Sequence, residues 1–500
     1  IFQVLFMGKI STNIIQLFLS DILPSFLTYI FLIISSNYSS LDIIGIVGVL
    51  ISTSMIFSSI SNFEIGVGVK SYLGKYASEN NWLGYKQITF VSSSFIILSS
   101  LVTILILSNP FFNLVSIFGI EQKFFVIISI MIVGLNIQHI LRGVLTSHLK
   151  SKAVMISMVI GSLSRFPLLV YYLNSNELNE LNISWSYSLF YIISSVILIG
   201  YTILLLYKIK GSPLTNYIKN LKIIFKASIV RWFPSIIGTL GTRLGILAVF
   251  ASGTSSEAGI YFIPYALFGA LMLVSSSTTQ ITHPVFSGLS EKRLQEDLLK
   301  KIMKISFIVS TPIATIMIFY ARPILEIFGK EFGLGENIFI ILLVGFPLLI
   351  FSESVYYLFY SRGEYRNILY LGLFSNIPRI ILYFFLVPLE GGIGAAIAFT
   401  IGSIFQTIFT IILIKKKKIN LEFVKILKII FIPVFLGILL YLMKIDVYGS
   451  LIIFFVSHII FLKLKIITED DVSELITSCF SESNSIKNKV LNILKQLKLL

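Results

Sequence analysis

Long apolar runs, each separated from the next by a short polar or basic segment, repeat along the whole chain. A helix that crosses a hydrocarbon core of about 30 Å needs roughly twenty apolar residues. Fourteen runs meet that length: residues 12–34, 42–62, 88–108, 123–141, 153–174, 183–206, 229–250, 259–281, 303–321, 337–360, 368–388, 392–414, 424–443 and 447–467. The pattern predicts an all-α integral membrane protein with fourteen transmembrane helices. Composition agrees, because 56% hydrophobic residues, 13% charged residues and a mean hydropathy of +0.92 exclude a water-soluble domain.

Charge orients the spans. Of 39 Lys and Arg residues, only Lys123, Arg322, Lys330 and Lys444 fall at one side of the membrane, and only Arg165, Arg243 and Arg379 lie deep inside runs, away from their ends. All the others lie on the opposite side, which the positive-inside rule makes cytoplasmic, with both termini there. The net charge of +15 then matches the anionic lipids of the inner leaflet, and no nucleic-acid partner is implied. The first run has full membrane length and no small-residue cleavage site after it, so it is expected to remain as helix 1 of a cell-membrane protein. Met7 is the first methionine, and residues 1–6 carry no weight. The lone Cys479 forms no intrachain disulfide, the four His residues lack ligand spacing, and no metal or cofactor is expected.

An internal repeat with an offset near 214 residues organises the runs. Gly45 falls on Gly259, Gly74 on Gly288, Pro24-Ser25 on Pro234-Ser235, Asn109-Pro110-Phe111 on Arg322-Pro323-Ile324, and Phe118-Gly119 on Phe328-Gly329. Leu141-Arg142-Gly143 likewise has a counterpart in Ser361-Arg362-Gly363. Six helices per repeat is an even number, so the halves share one orientation, as in transporters built from parallel repeats. The expected organisation is an N-terminal lobe over 1–207, a cytoplasmic amphipathic linker over 208–226 and a C-terminal lobe over 227–415. An accessory helix pair over 416–467 and a cytoplasmic tail over 468–500 follow, and a central cavity lies between the lobes. Ile486, Val490, Ile493, Leu494 and Leu497 give the tail an amphipathic helical face suited to the membrane surface.

Three stretches carry a family resemblance. Residues 64–87 (EIGVGVKSYLGKYASENNWLGYKQ), residues 284–300 (PVFSGLSEKRLQEDLLK) with 322–332 (RPILEIFGKEF), and above all residues 362–401 resemble polysaccharide and oligosaccharide-lipid flippases of the multidrug/oligosaccharidyl-lipid/polysaccharide (MOP) exporter superfamily. In the last stretch Gly363, Asn376, Pro388, Gly391-Gly392, Gly394-Ala395-Ala396 and Ala398 match that family's pattern. The resemblance covers nearly the whole chain. It implies a lipid-linked saccharide as partner, moved by alternating access, beside glycan-assembly proteins. The arrangement also resembles the fourteen-helix lipid II flippases, but helix 1 here has no Arg.

An arginine inside a membrane span is costly unless it meets protein, water or an anion. Arg165 and Arg379 are 214 residues apart, the repeat offset, and each lies near the middle of its span. Guanidinium forks suit bidentate phosphate contacts, and the resemblance implies that the phosphate is a polyprenyl pyrophosphate. A structural reading stands beside this one, in which each pairs with a buried carboxylate or helix-end carbonyls. Arg243, among Gly238, Gly241 and Gly245, is a further candidate for the same anion. Asp21, one turn before Pro24, either carries a coupling proton or Na+ or neutralises an arginine, and Glu353 poses the same choice. Tyr171, Tyr172, Tyr261 and Tyr265 are candidates for stacking on sugars, against a plain interfacial role.

The leading expectation is a flippase for a polyprenyl-phosphate-linked oligosaccharide. A cation-coupled multidrug exporter of the same superfamily is the alternative, and three buried arginines count against it. A membrane-embedded polymerase or glycosyltransferase needs acidic or His residues in a loop at the membrane face. The longest outer loop, 174–182, offers only Glu177 and Glu180, so the chain is not expected to be an enzyme.

Overall fold

The computed structural model describes residues 2–109, 119–288 and 291–468. Among them every regular element is helical: α1 (Phe2–Asn37), α2 (Leu41–Ser61), α3 (Ile65–Ser78), α4 (Trp82–Ser108), α5 (Phe125–Ser147), α6 (Ser151–Leu163), α7 (Arg165–Asn174) and α8 (Glu180–Tyr207). Next come α9 (Tyr217–Ser252), α10 (Ser255–Gly288), α11 (Lys292–Phe319), α12 (Ala321–Glu326), α13 (Glu336–Ser361), α14 (Tyr365–Lys417), α15 (Phe423–Leu442) and α16 (Leu451–Lys463). Twelve helical stretches are long and apolar enough to cross a membrane, α6 and α7 together making one of them. Cys479, the tail's amphipathic face, and Pro110, Phe111 and Phe118 of the repeat lie outside the described residues.

The count of twelve departs from the expected fourteen in two places. Helix α14 runs for 53 residues, about 80 Å if straight, far more than a bilayer needs. It is a hairpin: Gly391 adopts φ 54° and ψ −129°, open to glycine and strained for other residues. The two limbs meet again, with Arg379 hydrogen-bonded to Ser403, 24 residues on. The second departure is α16, whose 13 residues reach only about 20 Å, short of the run predicted over 447–467. The linker expected over 208–226 also differs, because α9 is continuous from Tyr217 through the following span. No breaker lies between Tyr217 and Pro234, and Pro234 is itself accommodated within the helix.

The described chain forms two compact units. The first takes in residues up to 267, 325–342 and 365–406; the second takes in 268–324, 343–364 and the residues from 407 onward. In the first, the repeat-related Gly45 and Gly259 lie against each other. A Cβ on Gly45 would fall 1.9 Å from the Ser255 carbonyl oxygen, and one on Gly259 would fall 2.2 Å from that of Leu41. Two helices can cross this closely only where both lack side chains. A polar knot stiffens the same unit, Asn136 donating to Ser61 Oγ (2.7 Å) and Ser100 Oγ (2.8 Å) and accepting from Ser58 (2.6 Å). Buried polar groups in an apolar medium need such partners. In the second unit Thr311 donates to the Ile429 carbonyl (3.2 Å) and Tyr320 to that of Ile445 (2.9 Å), joining α11 to α15 and its following turn.

Candidate functional site

Local sequence places Arg165 at a helix restart. Pro167 has no N–H to give the Leu163 carbonyl four residues back, and its ring crowds that position. Helix α6 accordingly ends at Leu163 and α7 begins at Arg165. The side chain is 1% exposed. Its Nη1 donates to Thr28 Oγ1 of α1 (2.8 Å), and its Cζ lies 4.2 Å from the Tyr187 ring centre and 4.5 Å from that of Phe190, both on α8. Aromatic faces replace water around the cation, and Nε has no acceptor.

Arg379 repeats this arrangement within the α14 hairpin. It is 2% exposed, donates to Ser403 Oγ (3.1 Å) and Asn376 Oδ1 (3.3 Å), and lies 3.8 Å from the Phe399 ring centre. Its Nε is likewise without a partner. Each repeat-related arginine thus meets a hydroxyl and an aromatic face, the aromatic face coming from the next span in both. Among the described residues neither meets a carboxylate.

Arg243 of α9 differs from both. It is half-buried, its Cζ lies 5.6 Å from the Tyr265 ring centre, and among the described residues it has no hydrogen bond or ion pair. Tyr29 of α1, Tyr191 of α8 and Tyr261 of α10 are within its electrostatic range; Tyr191 also senses Arg165, and Tyr261 also senses Arg379. The sealed arginines support the surroundings of Arg243. Asn376, held by Arg379, lies where a Cβ on Gly241 would be, and Tyr383 donates to the Gly241 carbonyl (2.9 Å). Next to Thr28, Tyr29 donates to the Ala266 carbonyl (2.9 Å), closing α1 onto α10 beside Tyr265.

The other candidates separate. Asp21 is ion-paired with Arg142 of α5, which also contacts Ser20 (3.4 Å), so the arginine it neutralises is none of the three. Glu353 of α13, in the second unit, has a buried Oε2 without a partner. Tyr261 is fully buried and stacked on Tyr265 with centroids 5.7 Å apart, whereas Tyr171 is 63% exposed beside Tyr172. Sequence reasoning missed Thr28, Tyr29, Tyr187, Tyr383 and Ser403. One signal was present: Tyr187 and Tyr191, like Tyr261 and Tyr265, are four residues apart and so share a helix face.

No family model matches the sequence, and no curated protein matches it significantly. Solved structures do match. The lipid II flippase MurJ in an inward closed conformation is 15% identical, with 92% of this chain and 98% of that one covered at a TM-score of 0.65. A multidrug resistance MATE family transporter of the MOP superfamily, inward-facing, is 14% identical over 80% of this chain and 94% of its own, at a TM-score of 0.64. The outward-facing form of such a transporter gives 13% identity and a TM-score of 0.57 over 81% of this chain. The chain therefore shares the fold of these solved structures.

Proposed function

We propose that this MOP-type fold serves a flippase for a polyprenyl-phosphate-linked oligosaccharide, with Arg243 as the principal phosphate ligand. One observation carries the reading: a guanidinium inside a membrane span, half-buried and without a counter-charge among the described residues, is unfavourable until an anion reaches it. A substrate whose phosphate crosses at that depth supplies the missing charge, and Tyr265 offers a ring for an adjoining sugar. Arg165 and Arg379 act as braces that hold Thr28, Asn376 and their neighbours around it. The approach of Gly45 to Gly259 and the matched settings of Arg165 and Arg379 support two six-helix lobes related by an axis along the membrane normal. The cytoplasmic location of both termini follows from the lysine distribution.

Coverage favours a lipid substrate over a drug, since the flippase structure accounts for 92% of this chain and the inward-facing MATE structure for 80%. A cation-coupled multidrug exporter is the second reading, favoured by the fold shared with the MATE structures. An uncompensated arginine repels a cationic drug and attracts a phosphate. Coupling to a proton or Na+ is assigned to Glu353 ahead of Asp21, because Asp21 already has Arg142.

The deciding experiment uses proteoliposomes loaded with a polyprenyl-pyrophosphate oligosaccharide and scores how fast the glycan becomes open to an external glycosidase. Wild type moves it and Arg243→Ala does not. Ethidium export by wild type, with no glycan movement, would establish the drug reading instead. Glu353→Gln is expected to remove the response of transport to an imposed proton or Na+ gradient while leaving downhill flipping in place.

A further inference from the structure

Helix α11 begins well before its apolar portion, and Asp297, Lys300, Lys301 and Lys304 recur at three- and four-residue spacing on one of its faces. That face meets the start of α15 and the turn before it across a cavity of about 240 Å³. Lys425 and Glu422 complete the polar lining. Lys300 is held by Asp297 (2.9 Å) and Lys425 by Glu422 (2.7 Å). Four lysines against two carboxylates give the lining a net positive charge. Deeper in, Met303, Ile426 and Ile429 make it apolar, and the Thr311 bond to the Ile429 carbonyl closes it toward the membrane interior. All of these residues belong to the second unit.

The geometry points to a binding site for the phosphate headgroup of an anionic phospholipid between the lysine-rich ends of α11 and α15. Basic pockets between membrane helices on the cytoplasmic side suit such headgroups, and the lysine stems cover apolar surface while their ammonium groups stay at the interface. The volume is below the roughly 300 to 1,000 Å³ of pockets that enclose whole drug-sized ligands, so a headgroup fits where an oligosaccharide does not. The apolar interior favours a lipid over a soluble phosphate ester, because a ligand with an acyl chain satisfies both parts of the lining. The site is separate from the Arg243 region and does not depend on what that region transports.

The test titrates full-length protein in mixed micelles with dioleoylphosphatidylglycerol and counts bound lipid by native mass spectrometry. Dioleoylphosphatidylcholine and glycerol 3-phosphate serve as parallel arms. Wild type is expected to retain phosphatidylglycerol in preference to phosphatidylcholine, with no saturable glycerol 3-phosphate binding. Lys301→Gln with Lys304→Gln should weaken retention about thirtyfold, at roughly a few-fold to tenfold per charge. Lys415→Gln with Lys416→Gln, two exposed charges outside the cavity, should change it less than twofold. Asp297→Asn with Glu422→Gln alters exposed side chains only and should tighten retention. Equal losses in the cavity and control variants would reduce the effect to general surface charge and overturn the site. Competition by glycerol 3-phosphate as strong as by the lipid would overturn the lipid assignment.

Discussion

Arg165 and Arg379 share the membrane interior with Arg243, yet the two settings solve opposite problems. The sealed arginines have hydroxyls and aromatic faces from neighbouring spans and almost no exposed surface. Arg243 has one ring at 5.6 Å and, among the described residues, no acceptor of its own. A fully packed cation contributes geometry, while one that keeps exposed surface is poised for a ligand. Residue type is the same in both, so it is the surrounding side chains that assign the roles.

Removing the open guanidinium is the most direct way to break this comparison. Losing one partner of a desolvated charge pair costs about 2 to 5 kcal/mol, so Arg243→Ala should slow glycan translocation at least about thirtyfold. Its melting temperature should stay within about 2 °C of wild type, since among the described residues Arg243 has no hydrogen bond or ion pair to abandon. Arg243→Lys keeps the charge but not the bidentate fork and should fall between the two. Full activity in Arg243→Ala would remove it from the site.

The sealed arginines should fail differently. Arg379→Ala or Arg165→Ala opens a cavity and leaves Ser403 or Thr28 without its donor, a loss of about 3 kcal/mol in stability. Methionine at either position refills the space with an apolar chain, and replacing a buried charge in this way is commonly neutral. Arg379→Met should therefore hold stability within about 1 kcal/mol and slow transport less than tenfold. A fully stable Arg379→Met that no longer moves the glycan would return Arg379 to the list of phosphate ligands.

The sequence made the spans legible because lipid imposes one length and one composition on every crossing. It also showed the break inside α14, since its apolar runs end at 388 and resume at 392, on either side of Gly391. The equivalence of Arg165 and Arg379 could be read from their spacing. Their rank against Arg243 could not, because Thr28 is 137 residues from Arg165 and Ser403 is 24 from Arg379, so much of their cover comes from distant sequence. The shortness of α16 was hidden for a related reason: residues 447–450 are apolar or small, but they lie in a turn closed by Asp446 accepting from the Gly449 N–H (2.8 Å).

The surroundings of Arg243 can be loosened without touching an arginine. A methyl group on Gly45 lands 1.9 Å from the Ser255 carbonyl oxygen, so Gly45→Ala must move the start of α10 away from α2, at about 1 to 3 kcal/mol. Tyr261 and Tyr265 follow on the same helix. A Tyr265→Cys reporter in a Cys479→Ser background should be alkylated several times faster with alanine at position 45. An unchanged rate would mean that the two glycines set no limit on access to Arg243.

The smallest expected effect comes from Arg142, an arginine that does have a carboxylate. Arg142 and Asp21 are 30% and 37% exposed, and an ion pair that wet is worth about 0 to 1 kcal/mol. Asp21→Asn should lower stability by no more than that, and the difference should shrink in high salt as screening replaces the pair. A double-mutant cycle with Arg142→Gln isolates the coupling. A coupling well above about 1 kcal/mol, or transport that loses its ion dependence in Asp21→Asn, would shift the coupling role from Glu353 to Asp21. Each arginine would then have its charge answered by a different class of partner: a carboxylate for Arg142, packed hydroxyls and rings for Arg165 and Arg379, and a phosphate for Arg243.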